Sequence, residues 1–107
     1  MTRVVGITDR AHSQLEAAFR WWRENRSEVQ AVKWYNLFMD AIAKIQINPE
    51  KYPLSLENKS FPYEIHELRF GVGRRKTHRA VFTIRPEMVL VIAVKHLAQQ
   101  SITPDDV

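Results

Sequence analysis

The chain has 107 residues, 45% hydrophobic and 26% charged, a balance that suits one globular domain spanning 1–107 and excludes a disordered chain. It contains no cysteine, which excludes disulfides, thiol catalysis and cysteine-based zinc sites. The formal net charge is +4, and the excess is local: residues 63–96 hold seven Lys or Arg against three acids, while the remainder carries nine of each.

"RVVGI", 3–7, is a β-branched run and reads as a strand, with Gly6 marking a bulge or a close backbone approach. Thr8 then offers an N-cap, followed by Asp9 in the first turn. Ala11, Leu15, Ala18, Phe19 and Trp22 recur at helical spacing, and Trp21 lies off that face, placed to pack against a neighbour. This helix is expected to stop near "ENRS". "SEVQ", from Ser27 to Gln30, fits a capping box that opens a second helix. Its stripe is Ala31, Trp34, Phe38, Ala41, Ile42 and Ile45, with Tyr35 beside it, and Asn48-Pro49 ends it because proline disfavours helical geometry in the residue before it. Tryptophans at this spacing are core residues more often than a base-stacking platform.

"NPEKYPLSLENKSFP", 48–62, is a long loop with three prolines. Lys51, Tyr52 and Lys59 could touch a ligand there, but a plain crossover around the sheet edge is the favoured reading. "YEIHELRF", 63–70, is the second strand, and its alternation slips near His66-Glu67, which predicts a bulge. "GVGRRK" is a basic hairpin loop, "THRAVFTIR" the third strand, Pro86-Glu87 a turn, and "MVLVIAVKH" the fourth strand. That last strand is apolar on both parities, so it is expected at the sheet centre. The tail "LAQQSITPDDV" is expected to be a surface end.

The order predicts an α+β fold: an N-terminal strand, then an antiparallel helical hairpin packed on one face of a small, mostly antiparallel four-stranded sheet, the other face partly open. The longest apolar run, 88–94, is too short for a bilayer, and the first ten residues lack the apolar core of a signal peptide. A soluble cytoplasmic protein without membrane contact is expected.

Four histidines, 12, 66, 78 and 96, show no His-x-x-x-His pairing, so neither a metal nor another cofactor is indicated. Metal-free phosphoryl transfer on RNA stays open, and it needs a base, an acid and cations. Arg69, Arg79 and the Arg74-Arg75-Lys76 loop could supply cations, His96 or His78 could move protons, and Tyr63 or Glu64 could assist. Each has a plainer reading: Arg69 and Arg79 as ion-pair partners of Glu64 or Glu67, His96 as a hydrogen-bonded structural histidine, the basic loop as a guard against edge pairing. The basic surface as a whole attracts phosphate or an acidic partner, or it only solubilises. Antiparallel pairing brings Arg79 level with Lys95 and His96, so these could cluster with Arg69.

The strand–helix–helix opening, "RWWRENRSEVQAVKWYNLFMDAIAKIQINPEKYPL", "EIHELRFGVGRRKTHRAVFTI" and the close "VLVIAVKHLAQQSITPDD" together resemble a RelE/ParE-type toxin of bacterial toxin–antitoxin systems, in the plasmid stabilisation branch. The resemblance covers nearly the full length. It implies growth inhibition relieved by a cognate antitoxin that wraps the toxin. It also implies one of two targets: DNA gyrase, bound without cleavage, or ribosome-bound mRNA, cut without metal. Arg69 matches the basic residue of the second strand that contacts RNA phosphate in RelE-like ribonucleases, and Arg79 the one that starts the next strand. Those enzymes place further Arg, His or Tyr beyond the last strand, where this chain has "LAQQSI", leaving His96 alone at that edge. The gyrase-binding mode is therefore slightly favoured, with Arg69, Arg74, Arg75, Lys76, Arg79 and Lys95 as target or antitoxin contacts. The alternatives are a ribonuclease using Arg69, Arg79 and His96, and a non-toxic relative that only engages its antitoxin. Self-association of the free toxin through the partner surface is a further alternative.

Overall fold

The computed structural model describes residues 4–99 and 101–107. Arg3, placed in the first strand by sequence, and Gln100 lie outside the described residues.

The chain runs β1 (Val4–Ile7), α1 (Asp9–Asn25), α2 (Glu28–Ala43), β2 (His66–Phe70), β3 (His78–Ile84) and β4 (Met88–His96), with short 3₁₀ turns in the connections. Local chemistry sets the helix ends. The Thr8 hydroxyl accepts from the Ala11 N–H at 3.1 Å, and the Thr8 N–H donates to the Val91 carbonyl at 3.0 Å, so the cap also anchors α1 to the sheet. Ser27 caps α2 in the same way through the Gln30 N–H at 3.1 Å. Only this half of the expected capping box forms, and Gln30 is exposed. After Ala43 the last turn tightens to a 3₁₀ segment, Lys44–Ile47, before Asn48 takes the extended φ that Pro49 requires.

The sheet order is β1-β4-β3-β2, with β1 parallel to β4 and the other pairs antiparallel. β4 is central, as its two apolar parities predict. The helical hairpin covers one face, burying Leu15, Trp34, Phe38 and Ile42 against Ala80, Phe82, Val89, Val91 and Val94. Each large side chain removed from water here contributes about 1.5–3 kcal/mol.

Three expectations change. The bulge is not at His66-Glu67: β2 and β3 pair without a break from His66↔Phe82 to Phe70↔His78. The pattern slips there because both faces are buried. His66 stacks on Phe82 and bonds the Tyr52 carbonyl at 2.8 Å, while Glu67 sits in a buried ion pair. The irregularity lies instead in β4, where Val81↔Ala93 is followed by Phe82↔Val91 and Ile92 is the extra residue. The second sheet face is also less open than expected. Residues 48–65 and the tail fold over it, packing Phe61, Ile65 and Ile102 on Val81, Ile92 and Ala93. The tail is thus partly structural, with buried Ile102 and a small capping box between Thr103 and Asp106. Finally, β2 starts at His66, since residues 63–65 turn across this second face before joining the sheet.

Candidate functional site

Register decides which of the candidate residues meet. Arg69 pairs with Arg79, and Arg79 with Lys95, so the three form a row across β2, β3 and β4. Side chains directly opposite each other share a face, and this row lies on the face away from the helices. His78 pairs with His96, one residue along, and both therefore face the helices. Their rings meet edge to face at 5.0 Å, and His78 also contacts Trp34 at 5.0 Å. The sheet separates Arg69, Arg79 and Lys95 from His78 and His96.

Arg79 is buried and fully engaged. Its guanidinium donates to both carboxylate oxygens of Glu57, one at 2.8 Å, and to Glu67 Oε1 at 3.1 Å. Glu67 Oε2 accepts from Arg69 Nε at 2.7 Å. Glu57 further accepts from the Ser55 hydroxyl and from the Ile102 N–H at 3.0 Å. The Arg79 hydrogen bonds hold the Glu57 carboxyl down at about 2 despite burial, with Ser55 and Ile102 adding to the effect. Two arginines thus balance two glutamates. The sequence suggested Glu67 as a partner, but Glu57 was missed: an acid inside a proline-rich loop carries no periodicity that would mark it as buried.

The solvent-accessible cations lie at the margin of this row. Arg69 is half exposed, and Lys95 is half-buried. Arg74, Arg75 and Lys76 are exposed on the hairpin loop. That loop is tightly folded, because a Cβ on Gly71 would stand 1.9 Å from the Arg75 carbonyl oxygen, and Gly73 has φ +90°. The Thr77 N–H closes it on the Phe70 carbonyl at 2.9 Å. Tyr63 packs edge-on against Phe61 under the Arg85 guanidinium, and Lys51 lies over the Tyr52 ring, so neither aromatic stands beside the basic row. Glu64 is exposed outside the Arg79 network.

On the helical side, a cleft of about 580 Å³ opens between α1 and the ends of β3 and β4. α1 contributes Ala17, Trp21 and Trp22, with Arg26 at its C-terminus, and the strands contribute His78, Val94 and His96. A second cleft, about 330 Å³, shares Trp22 and Arg26 and continues past Trp34 to Lys33 and Val72. Trp34 is a core residue, Trp22 stacks on it at 6.3 Å, and Trp21 is 52% exposed. Burial, and then the neighbouring His96, lower His78 to about 4, so it is neutral at pH 7. His96 Nδ1 accepts from the Ala98 N–H at 3.0 Å, and the His96 N–H donates to Gln99 Oε1 at 2.7 Å. The turn after β4 is built on these bonds.

No described position brings a histidine together with both arginines on a single phosphate, and among the described residues no three His, Asp or Glu side chains converge as metal ligands. No helix among the described residues is long and apolar enough to cross a membrane.

No family model matches the chain, and no curated protein matches its sequence. Among solved structures, a chain described as "Chromosomal ParDE TA system from P. aeruginosa" superposes with a TM-score of 0.71 at 13% identity, covering 89% of this chain and 96% of that one. The fold is that of a chain from a toxin–antitoxin system.

Proposed function

We propose that the protein is the toxin of a bacterial type II toxin–antitoxin pair and that it inhibits growth by binding its target, in the manner of a ParE-like gyrase poison, until a cognate antitoxin covers it. The likeness to a ParDE system chain over 89% of the length supports the system and the antitoxin partner. The observation that carries the binding mode is the pleat: His96 faces the helices, while Arg69 and Arg79 face away, and Arg79 is spent on Glu57 and Glu67. A ribonuclease of this type needs its proton-transfer group and its cations around one phosphate.

In this reading Arg69, Lys95 and the Arg74-Arg75-Lys76 loop form the surface that meets gyrase or the acidic part of the antitoxin. The protein acts in the cytoplasm, where gyrase is found. The ribosome-dependent ribonuclease keeps one observation in its favour, the alignment of Arg69, Arg79 and Lys95 in a single row. A relative that binds antitoxin without toxicity is the third outcome.

The test is brief, tightly controlled induction followed by transcriptome-wide mapping of RNA 5′ ends, with a supercoiling assay on purified gyrase alongside. Growth arrest with inhibited supercoiling and no new ends supports the proposal. Codon-phased new ends in translated messages establish the ribonuclease instead, and the absence of arrest leaves the non-toxic relative.

A further inference from the structure

The larger cleft opens on the helical side of the sheet and shares only Lys95 with the binding surface just described. Its volume, about 580 Å³, is within the range of small-molecule sites, roughly 300–1,000 Å³. Aromatic rings from both sides form its walls: Trp21 and Trp22 from α1, His78 and His96 from the strands. Such walls suit a flat ring, which gains by stacking and edge contacts.

The polar groups of the lining are unbalanced. No Asp or Glu borders the cleft, whereas Arg26 and Lys95 do. The acceptors of its other polar side chains are engaged: Gln14 Oε1 accepts the Val94 N–H at 2.7 Å, Gln99 Oε1 the His96 N–H at 2.7 Å, and Thr77 Oγ1 bonds His78 Nδ1 at 2.8 Å. His96 Nδ1 already accepts the Ala98 N–H, so in the neutral ring its proton sits on Nε2, a donor without a partner in the fold. The indole N–H groups of Trp22 and Trp34 are both buried with no acceptor, and of the two only Trp22 lines this cleft. A buried unpaired donor is uncommon in native proteins. The carbonyls of the two cleft-lining tryptophans are engaged, Trp21 O by Asn25 Nδ2 at 2.9 Å and Trp22 O by the Arg26 N–H at 2.9 Å. Cations, a free His96 Nε2–H and no carboxylate around an aromatic-walled cavity describe the complement of a flat anion.

We infer that this cleft is a binding site for a small planar aromatic carboxylate, its ring held among Trp21, Trp22 and the two histidine rings, and its carboxylate held by Arg26 and His96 Nε2–H. Neutral His78 acts as wall rather than charge. The site is independent of the toxin assignment, and its test does not use growth.

The probe is 2-naphthoate, titrated into the ¹⁵N-labelled full chain at pH 7.5, with the Trp22 indole N–H resonance as the readout. A saturable shift is expected below about 1 mM, the range of a weak specific site. Arg26→Gln, an exposed position that leaves the fold intact, is expected to weaken binding about tenfold or more, the loss of one charged contact. His96→Ala is expected to weaken it less. The uncharged 2-naphthamide is expected to bind at least about tenfold more weakly than the acid. No saturable shift with 2-naphthoate overturns the site. Equal binding of acid and amide, or unchanged binding in Arg26→Gln, overturns the anion assignment.

Discussion

Arg79 and Glu57 join the third strand to the middle of the long connection, and through the Ile102 N–H the same carboxylate also holds the C-terminal tail. One buried ion pair therefore fixes three segments over the far face of the sheet. It adds a charged tie to the apolar packing of Ile102 and to the backbone bonds of the connection, where the Ser55 N–H donates to the Ile65 carbonyl at 2.8 Å and the Pro53 carbonyl accepts the Glu67 N–H at 3.0 Å.

Removing one partner leaves an uncompensated buried charge, which costs about 3–5 kcal/mol. Arg79→Ala is expected to lose stability of that order in urea unfolding at pH 7, because both Glu57 and Glu67 are left behind. Arg69→Ala is expected to cost about 1 kcal/mol or less, since its side chain is 52% exposed and Arg79 still pairs with Glu67. Equal losses in the two variants contradict the network. Loss of toxicity in Arg79→Ala would then report folding before it reports any contact with a target.

Acid is expected to unfold the protein in two stages with distinct owners. His78 is held near 4 against an ordinary 6.5. The unfolded chain therefore binds that proton first, and stability falls as pH drops from about 6.5 to 4. Glu57 is held near 2 against an ordinary 4.5. Its contribution is complete above 4.5 and is lost as pH falls from there toward 2. One differential proton gives a slope of at most about 1.4 kcal/mol per pH unit. Urea unfolding across pH 7.5 to 2.5 checks this: His78→Phe should flatten the upper stage and leave the lower one.

How far the sequence revealed this depends on how local each signal was. Thr8 and Ser27 were legible because a cap is read from a residue and its neighbour three positions on. The central place of β4 was legible from its two apolar parities. The face of His96 was not. Continued from Ile84↔Val89 without a break, the ladder would set Arg79 opposite Val94 and turn His96 to the face of Arg79. The extra residue at Ile92 turns the rest of β4 over, so Ile92 and Ala93 both pack on the far face and Val94 returns to the helices. A valine–isoleucine run has no glycine to announce such a bulge. The composition of the candidate site therefore hinges on one residue whose role only the paired strands expose.

The hairpin loop separates fold from contact. Replacing Arg74, Arg75 and Lys76 together by alanine removes three exposed charges and is expected to change stability by about 0.5 kcal/mol or less per site. Association with an acidic partner should weaken, and more so at low ionic strength, where surface charge acts over a longer range. Titrating the triple variant against the cognate antitoxin at two salt concentrations checks both halves. Gly71→Ala is the contrasting change: its methyl would drive into the Arg75 carbonyl, so it should disturb the loop and cost stability with every charge retained.

His96→Ala discriminates between mechanisms at the lowest structural risk. The residue is exposed, and its Nδ1 bond to the Ala98 N–H lies in a surface turn where water can replace it, so the fold should lose about 1 kcal/mol or less. A proton-transfer group contributes about 10²–10⁴-fold to a rate, so a nuclease deprived of it should cease to arrest growth at modest expression. A binder that meets its target through Arg69, Lys95 and the basic loop should arrest growth nearly as well as the parent, because His96 lies on the opposite face of the sheet. Dose–response of growth arrest against expression level, with soluble protein quantified in each strain, is the measurement. Retained arrest supports the binding mode, and abolished arrest at equal soluble protein overturns it.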